Sequence, residues 1–299
     1  MIEPYPMKKP RHIALFFLLC FSALPAKALE IFACEPEWGA LARALGGEQV
    51  KVYTATTNRQ DPHYIQARPS LIARARRADL LVCTGAELEV GWLPLLLQKS
   101  GNARIQIGKP GYFMASEFVT LLEKPAVLDR SQGDVHADGN PHIHLDPVRL
   151  QQVAVRLGER LREIDPAHAA HYRALQEEFL RAWREKITQW EEKAGPLRGK
   201  SVVVHHQGWV YLRAWAGIGQ AGALEPIPGI PPTSAHLSRL LAHLRETPAH
   251  RIVYANHQDT RPVEWLSQKT GIPAAGLDFG PGPGESLMDW FDGLLDRLL

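Results

Sequence analysis

Apolar and polar positions alternate in two registers along this chain, and the register changes every ten residues or so. Short apolar runs predict strands at residues 29–34, 49–54, 79–83 and 104–107. Between them, periods of three to four predict helices at 38–45, 70–78 and within 85–98. The same alternation returns near the end, with strands at 200–204, 251–255 and 273–277. The helices there are expected at 208–216, 234–246, 262–270 and 286–299, with residues 222–232 a Gly/Pro-rich connection. Strand–helix alternation of this kind predicts parallel sheets covered on both faces, an α/β fold in two lobes.

Between the two series lie two helical stretches. Residues 147–164 place Leu150, Val153, Leu157 and Leu161 on one face. Asp165-Pro166 then opens a helix expected to run unbroken to Ala194, where Gly195-Pro196 stops it. Tyr172, Leu175, Phe179, Trp183, Ile187 and Trp190 form its apolar stripe. Twenty-nine residues make a rod of about 43 Å, longer than one small lobe and suited to joining two. The expected organisation is an export signal at 1–28, a first lobe at 29–165, a linking helix at 166–194 and a second lobe at 195–299.

The signal reading rests on Lys8, Lys9 and Arg11, an apolar run over residues 13–24, and Ala26-Lys27-Ala28 as a cleavage pattern. Cys20 follows Leu19, bulkier than the small residue of a lipoprotein cleavage site, so cleavage after Ala28 is expected. Loss of this segment takes the formal charge from 34 − 32 = +2 to 30 − 31 = −1. That balance recruits neither nucleic acid nor an anionic membrane. Cys34 and Cys83, each near the end of an expected strand, are either a disulfide in an oxidising compartment or two buried thiols.

The chemistry lies in the histidines. Ligand groups of open parallel sheets gather at the carboxyl ends of strands. His63, the pair His205-His206, and His257 follow expected strands, as does Asp278, while His142 and His144 lie in Asn140-Pro141-His142-Ile143-His144 just before a helix. His168, His171, His236, His243 and His250 fall in or beside helices and read as surface groups. Three imidazoles and a carboxylate suit Zn²⁺ and argue against the all-oxygen shells of Mg²⁺ and Ca²⁺. Spacing alone leaves His142 against His144, and His205 against His206, undecided.

Asp61-Pro62-His63 with Pro69-Ser70 and Ala78-Asp79-Leu80, Asn140-Pro141-His142 with Leu145-Asp146-Pro147, residues 202–206 with Tyr211, and Leu277-Asp278 together resemble the solute-binding proteins of zinc and manganese ABC transporters. The resemblance covers the whole chain after the signal. It implies two α/β lobes joined by a rigid helix, with a metal site between them. It places the ligands at His63, His142, His206 (with Tyr211 five residues on) and Asp278. Manganese members carry a glutamate where His206 stands, so histidine there favours zinc.

His144 stands in place of the family's tryptophan and His205 in place of an aromatic or apolar residue, which keeps both as alternative donors. The His/Asp-rich loop of many zinc members has only residues 129–140 as a counterpart, with Asp129, Asp134, His136 and Asp138; His136 is a candidate for accessory metal capture, and an ordinary flexible loop is the alternative. The implied function is capture of Zn²⁺ in the periplasm by a monomer and delivery to an ABC permease, with a periplasmic zinc chaperone as a further partner. A zinc hydrolase, and a manganese-binding or adhesion protein of the same fold, are the rival readings. No His-Glu-x-x-His helix is present to favour the hydrolase.

Overall fold

The computed structural model describes Met1, residues 27–126, Gly133 and residues 136–299. The expected signal core, Asp129 and Asp134 lie outside the described residues. Among those described, no helix is long and apolar enough to cross a membrane.

Two four-stranded parallel sheets carry the fold. In the first lobe β1 (Leu29–Ala33), β2 (Val50–Thr54), β3 (Leu80–Cys83) and β4 (Tyr112–Met114) stand in the order β2-β1-β3-β4. In the second, β5 (Ser201–Val204), β6 (Gly219–Ala223), β7 (Arg251–Ala255) and β8 (Ala274–Leu277) stand as β6-β5-β7-β8. The chain order reverses between β1 and β3 and between β5 and β7, so each lobe has a crevice at the carboxyl ends of those strands. The near-continuous apolar strands Leu80–Cys83 and Ser201–Val204 are covered on both sides, as parallel strands require. Cys34 and Cys83, just past paired residues Ala33 and Val82, are joined as a disulfide with Cα atoms 4.8 Å apart.

The connecting rod is α5 (Ala169–Ala194), 26 residues or about 39 Å. It is preceded by a separate 3₁₀ turn at Pro166–His168, so the expected unbroken helix starts three residues late. The reason is local: Asp165 spends its carboxylate on His168 Nδ1 (2.8 Å) and Tyr172 Oη (2.7 Å) and does not cap the first turn. The rod lies against α1 (Pro36–Gly46) and α4 (Pro147–Ile164) of the first lobe and α9 (Leu287–Leu298) of the second. Trp183 donates to Pro147 O (2.8 Å) and Trp190 to Asp292 Oδ1 (2.8 Å), so positions about two turns apart on one helix are bonded to opposite lobes. A single apolar core, with Trp38, Tyr172, Trp183, Trp190, Tyr211 and Trp290, runs through both lobes along this rod. Smaller clusters cover the outer face of each sheet.

Three expectations are corrected. Residues 104–107 are not a strand: Asn102 accepts from Arg104 N (3.1 Å) and caps a 3₁₀ turn, and the fourth strand is β4 further on. Helix α3 (Leu93–Ser100) starts late because Gly85, Ala86 and Glu87 all have positive φ. Part of the Gly/Pro connection is the edge strand β6, whose sequence Gly-Gln-Ala-Gly-Ala has no apolar alternation to reveal it. The remaining helices are α2 (Pro69–Ala75), α6 (Val210–Ala216), α7 (Ser234–Glu246) and α8 (Arg261–Thr270).

Candidate metal centre

The rings of His63, His142 and His206 form a triangle between the lobes. Their centroids are 5.6 Å (His63–His142), 6.2 Å (His63–His206) and 6.1 Å (His142–His206) apart. Four imidazoles bound to one tetrahedral zinc at about 2.0–2.1 Å would hold their centroids about 5 Å apart. The triangle is therefore open by about an ångström relative to that arrangement.

His63 sits in a 3₁₀ turn, Pro62–Tyr64, that Asp61 caps by accepting the His63 N–H (3.0 Å). The same Asp61 Oδ1 lies 2.7 Å from His63 Nδ1. On the other lobe, Glu225 Oε2 lies 2.8 Å from His206 Nδ1. Each carboxylate accepts the Nδ1–H, so Nε2 is the unprotonated nitrogen, the tautomer a metal needs. Burial alone would raise both acids, but the histidine hydrogen bonds outweigh it: Asp61 is lowered, and Glu225 falls to about 2. Both carboxylates therefore stay ionised and keep their grip on the rings.

His142 is carried by the loop before α4. Asn140 Oδ1 accepts from His142 N (3.1 Å), and Asn140 Nδ2 donates to Gln207 O (2.9 Å) beside His206. Tyr211 Oη donates to Asn140 O (2.6 Å) and accepts from Leu122 N (3.0 Å). One asparagine thus ties the second imidazole's loop to the third imidazole's turn. Burial, with the neighbouring imidazoles of His63, His206, His144 and His136 adding to it, pushes the His142 pKa well below the ordinary histidine value. Its Nδ1 is buried without a hydrogen-bond partner, so this neutral ring has an unused nitrogen inside the site. Phe279 wedges against it at 5.0 Å.

A fourth imidazole joins them. His136 Nε2 lies 3.2 Å from His63 Nε2, with ring centroids 5.3 Å apart. Asp278, the expected fourth ligand, has hydrogen bonds on both oxygens. Its Oδ1 accepts from Asn256 (2.7 Å) and Asn58 (3.3 Å), and its Oδ2 from Arg297 (2.8 Å). Oδ1 ties the end of β8 to the end of β7 and to Asn58 of the first lobe, and Oδ2 ties it to α9.

Of the two neighbour residues, His144 is engaged elsewhere and His205 is not. His144 Nε2 donates to Phe279 O (2.8 Å), and its Nδ1 faces Glu37 Oε1 at 3.4 Å. Burial lowers His144 to about 4 and raises Glu37 to about 8, so both are neutral at pH 7. His205 is buried with its Nδ1 3.6 Å from Glu225 Oε1, and among the described residues neither of its ring nitrogens has a hydrogen-bond partner, which keeps it an alternative donor beside His206; it lines a cavity with Asp61, Glu225, His257 and Trp265. Cys34, Cys83 and Glu89 also bring sulfur and oxygen atoms within 4.8 Å of one another. The sulfurs are bonded to each other, and Glu89 accepts from Thr84 N and Gly85 N, so that group offers no metal site.

The motifs in the sequence locate the histidines but not what orients them. Asp61, one turn from His63, carries a local signal, the Asp-Pro-His capping turn. Glu225 comes nineteen residues after its histidine and has none.

The model of the family described as zinc-uptake complex component A, periplasmic (ZnuA), matches residues 31–298. The chain belongs to this family. Among curated relatives, the metal ABC transporter substrate-binding lipoprotein ScbA of Streptococcus cristatus is 25% identical over 288 residues, covering 89% of this chain and 88% of the relative. The manganese ABC transporter substrate-binding lipoprotein PsaA of Streptococcus pneumoniae is 22% identical over 276 residues, covering 87% and 84%. A ZnuA crystal structure superposes with a TM-score of 0.73 at 20% identity, over 91% of this chain and 97% of that one. The laminin-binding adhesin Lmb of Streptococcus agalactiae, in a mutant structure, gives 0.70 at 19%, over 91% and 100%. The protein is therefore a metal-binding, extracytoplasmic substrate-binding protein of the ABC-transporter class, and the hydrolase reading is set aside.

Proposed function

We propose that the protein captures Zn²⁺ in the periplasm, after export on residues 1–28, and delivers it as a monomer to an ABC permease. A periplasmic zinc chaperone is the proposed donor. The metal is held by Nε2 of His63 and of His206 and by His142, with His136 as the fourth donor. Asp278 keeps the cleft wall in place without entering the shell. Four protein donors close a tetrahedron and leave no position for a reactive water.

The observation that carries the zinc reading is His206, a third imidazole whose tautomer is fixed by Glu225. Imidazole shells suit zinc and copper, whereas manganese prefers carboxylate and water oxygen. Curated relatives named for manganese motivate the competing reading, the same fold loaded with Mn²⁺. Calorimetric titration of the metal-free protein with each ion separates the two. Zinc is expected to bind one site far more tightly than manganese; equal or tighter manganese binding overturns the assignment.

A further inference from the structure

Gly85, Ala86 and Glu87 follow β3 with φ of +79°, +48° and +65°. Glycine adopts this region freely, but a residue with a Cβ gives up about 1–2 kcal/mol to stay there. Two such residues in succession need a reason. The turn is held in place by Glu89, whose carboxylate accepts from Thr84 N (2.8 Å) and Gly85 N (3.0 Å), and by the Leu88 N–H on Gly85 O (3.1 Å). Glu89 is buried and Glu87 exposed, so the strained turn throws one carboxylate outward over the cleft.

That outward carboxylate meets the loop bearing the fourth imidazole. Glu87 Oε2 accepts the Ala137 N–H at 2.7 Å. The peptide bond that supplies this N–H is the one joining His136 to Ala137, and His136 Nε2 is 3.2 Å from His63 Nε2. The bond is exposed, so water would satisfy the Ala137 N–H equally well. Burial of an unpaired donor does not explain it. Gly139, with φ +119°, ends the turn in which its N–H bonds to His136 O (3.2 Å), which brings the loop back toward the clamped Asn140. The peptide unit that follows His136 is thereby held at both its N–H and its C=O.

We propose that Glu87 is a positioning residue: its carboxylate latches the Ala137 amide and holds His136 over the metal site, slowing metal release. Glu87 itself touches no donor of the site. This rests on the reading of His136 as a zinc ligand.

The test is zinc release from the full, zinc-loaded chain into excess chelator, followed by stopped flow. The variants are Glu87→Ala, Glu87→Gln, His136→Ala and the double variant Glu87→Ala/His136→Ala. Outer partners of metal ligands typically carry about 10–100-fold in affinity, and an exposed one belongs at the low end, about tenfold. Glu87→Ala is expected to speed release about tenfold, Glu87→Gln to recover part of the loss through its amide oxygen, and Glu87→Ala to add nothing once His136 is alanine. Melting of the metal-free variants by circular dichroism reports the fold separately. If His136→Ala speeds release and Glu87→Ala does not, the latch is overturned and the ligand reading stands. Equal acceleration by Glu87→Ala in both backgrounds also overturns it. If His136→Ala leaves release unchanged, the fourth-donor reading fails and the latch fails with it.

Discussion

The Nε2 atoms of His63 and His136 stand 3.2 Å apart, although seventy-three residues separate them in the chain. Two nitrogens on a tetrahedral zinc at about 2.0–2.1 Å are separated by about 3.3–3.4 Å. This pair is already at the spacing of one edge of that tetrahedron, while the rings of His142 and His206 stand slightly further off. Metal binding then becomes a short inward movement of two side chains.

The donor assignment predicts a contrast between His136 and Asp278. His136→Ala weakens zinc binding, and His63→Ala, His142→Ala and His206→Ala weaken it more. Asp278→Asn leaves zinc affinity essentially unchanged but loosens the bond to Arg297. The charged hydrogen bond is half exposed on the Arg297 side, so the loss is about 1 kcal/mol, or about 2–4 °C in Tm. Titration and melting of the same variants check both halves. The reverse pattern would restore Asp278 as the fourth ligand.

The orienting carboxylates predict effects on affinity without direct metal contact. Asp61→Ala and Glu225→Ala each reduce zinc affinity by about 10–100-fold, because His63 and His206 lose the group that fixes their tautomer. Asp61→Asn and Glu225→Gln, which keep a neutral acceptor, fall in between. Calorimetry on the four variants checks this ordering.

Glu37 predicts an uncommon pH profile for the metal-free fold. Burial raises its pKa from 4.5 to about 8, against the hydrogen bond from its own backbone and with the Glu89 charge adding to the rise. A carboxyl raised on folding binds more protons in the native state between those two values. Its stabilising contribution is complete below pH 4.5 and disappears as pH climbs through 8. From pH 6.5 to 8 this group alone removes about 2 kcal/mol. Denaturant unfolding of the metal-free protein across that range should show stability falling, and Glu37→Gln should flatten the slope.

Gly158 predicts the sensitivity of the rod. A Cβ there would lie 2.4 Å from Gln176 Cδ, and Gln176 is pinned by Ala154 O (3.1 Å) and Val155 O (2.7 Å). Gly158→Ala therefore separates α4 from α5 or breaks those bonds, at about 1–3 kcal/mol, despite the better helix propensity of alanine. Urea unfolding measures it.

Much of this was legible in the order of residues. The apolar stripe from Tyr172 to Trp190 and the four motifs announced two α/β units joined by a rod, because burial against a neighbour imposes a period on sequence. What stayed hidden was whatever pairs residues at long range. Edge strand β6 buries only Ala221 fully and is built of Gly, Gln and Ala, so it carries no apolar alternation. Asp278 was legible from its place after β8, but its contacts with Asn256, Asn58 and Arg297, drawn from three distant parts of the chain, were not. His136 was marked as an accessory candidate by its His/Asp-rich loop, but its approach to His63 Nε2 at 3.2 Å was not legible in the sequence.

X-ray absorption at the zinc K-edge of the loaded protein examines the donor set most directly. The expected spectrum has four nitrogen neighbours at about 2.0–2.1 Å with the outer-shell scattering of four imidazoles. A shell dominated by oxygen, or one with two imidazoles or fewer, would contradict the account.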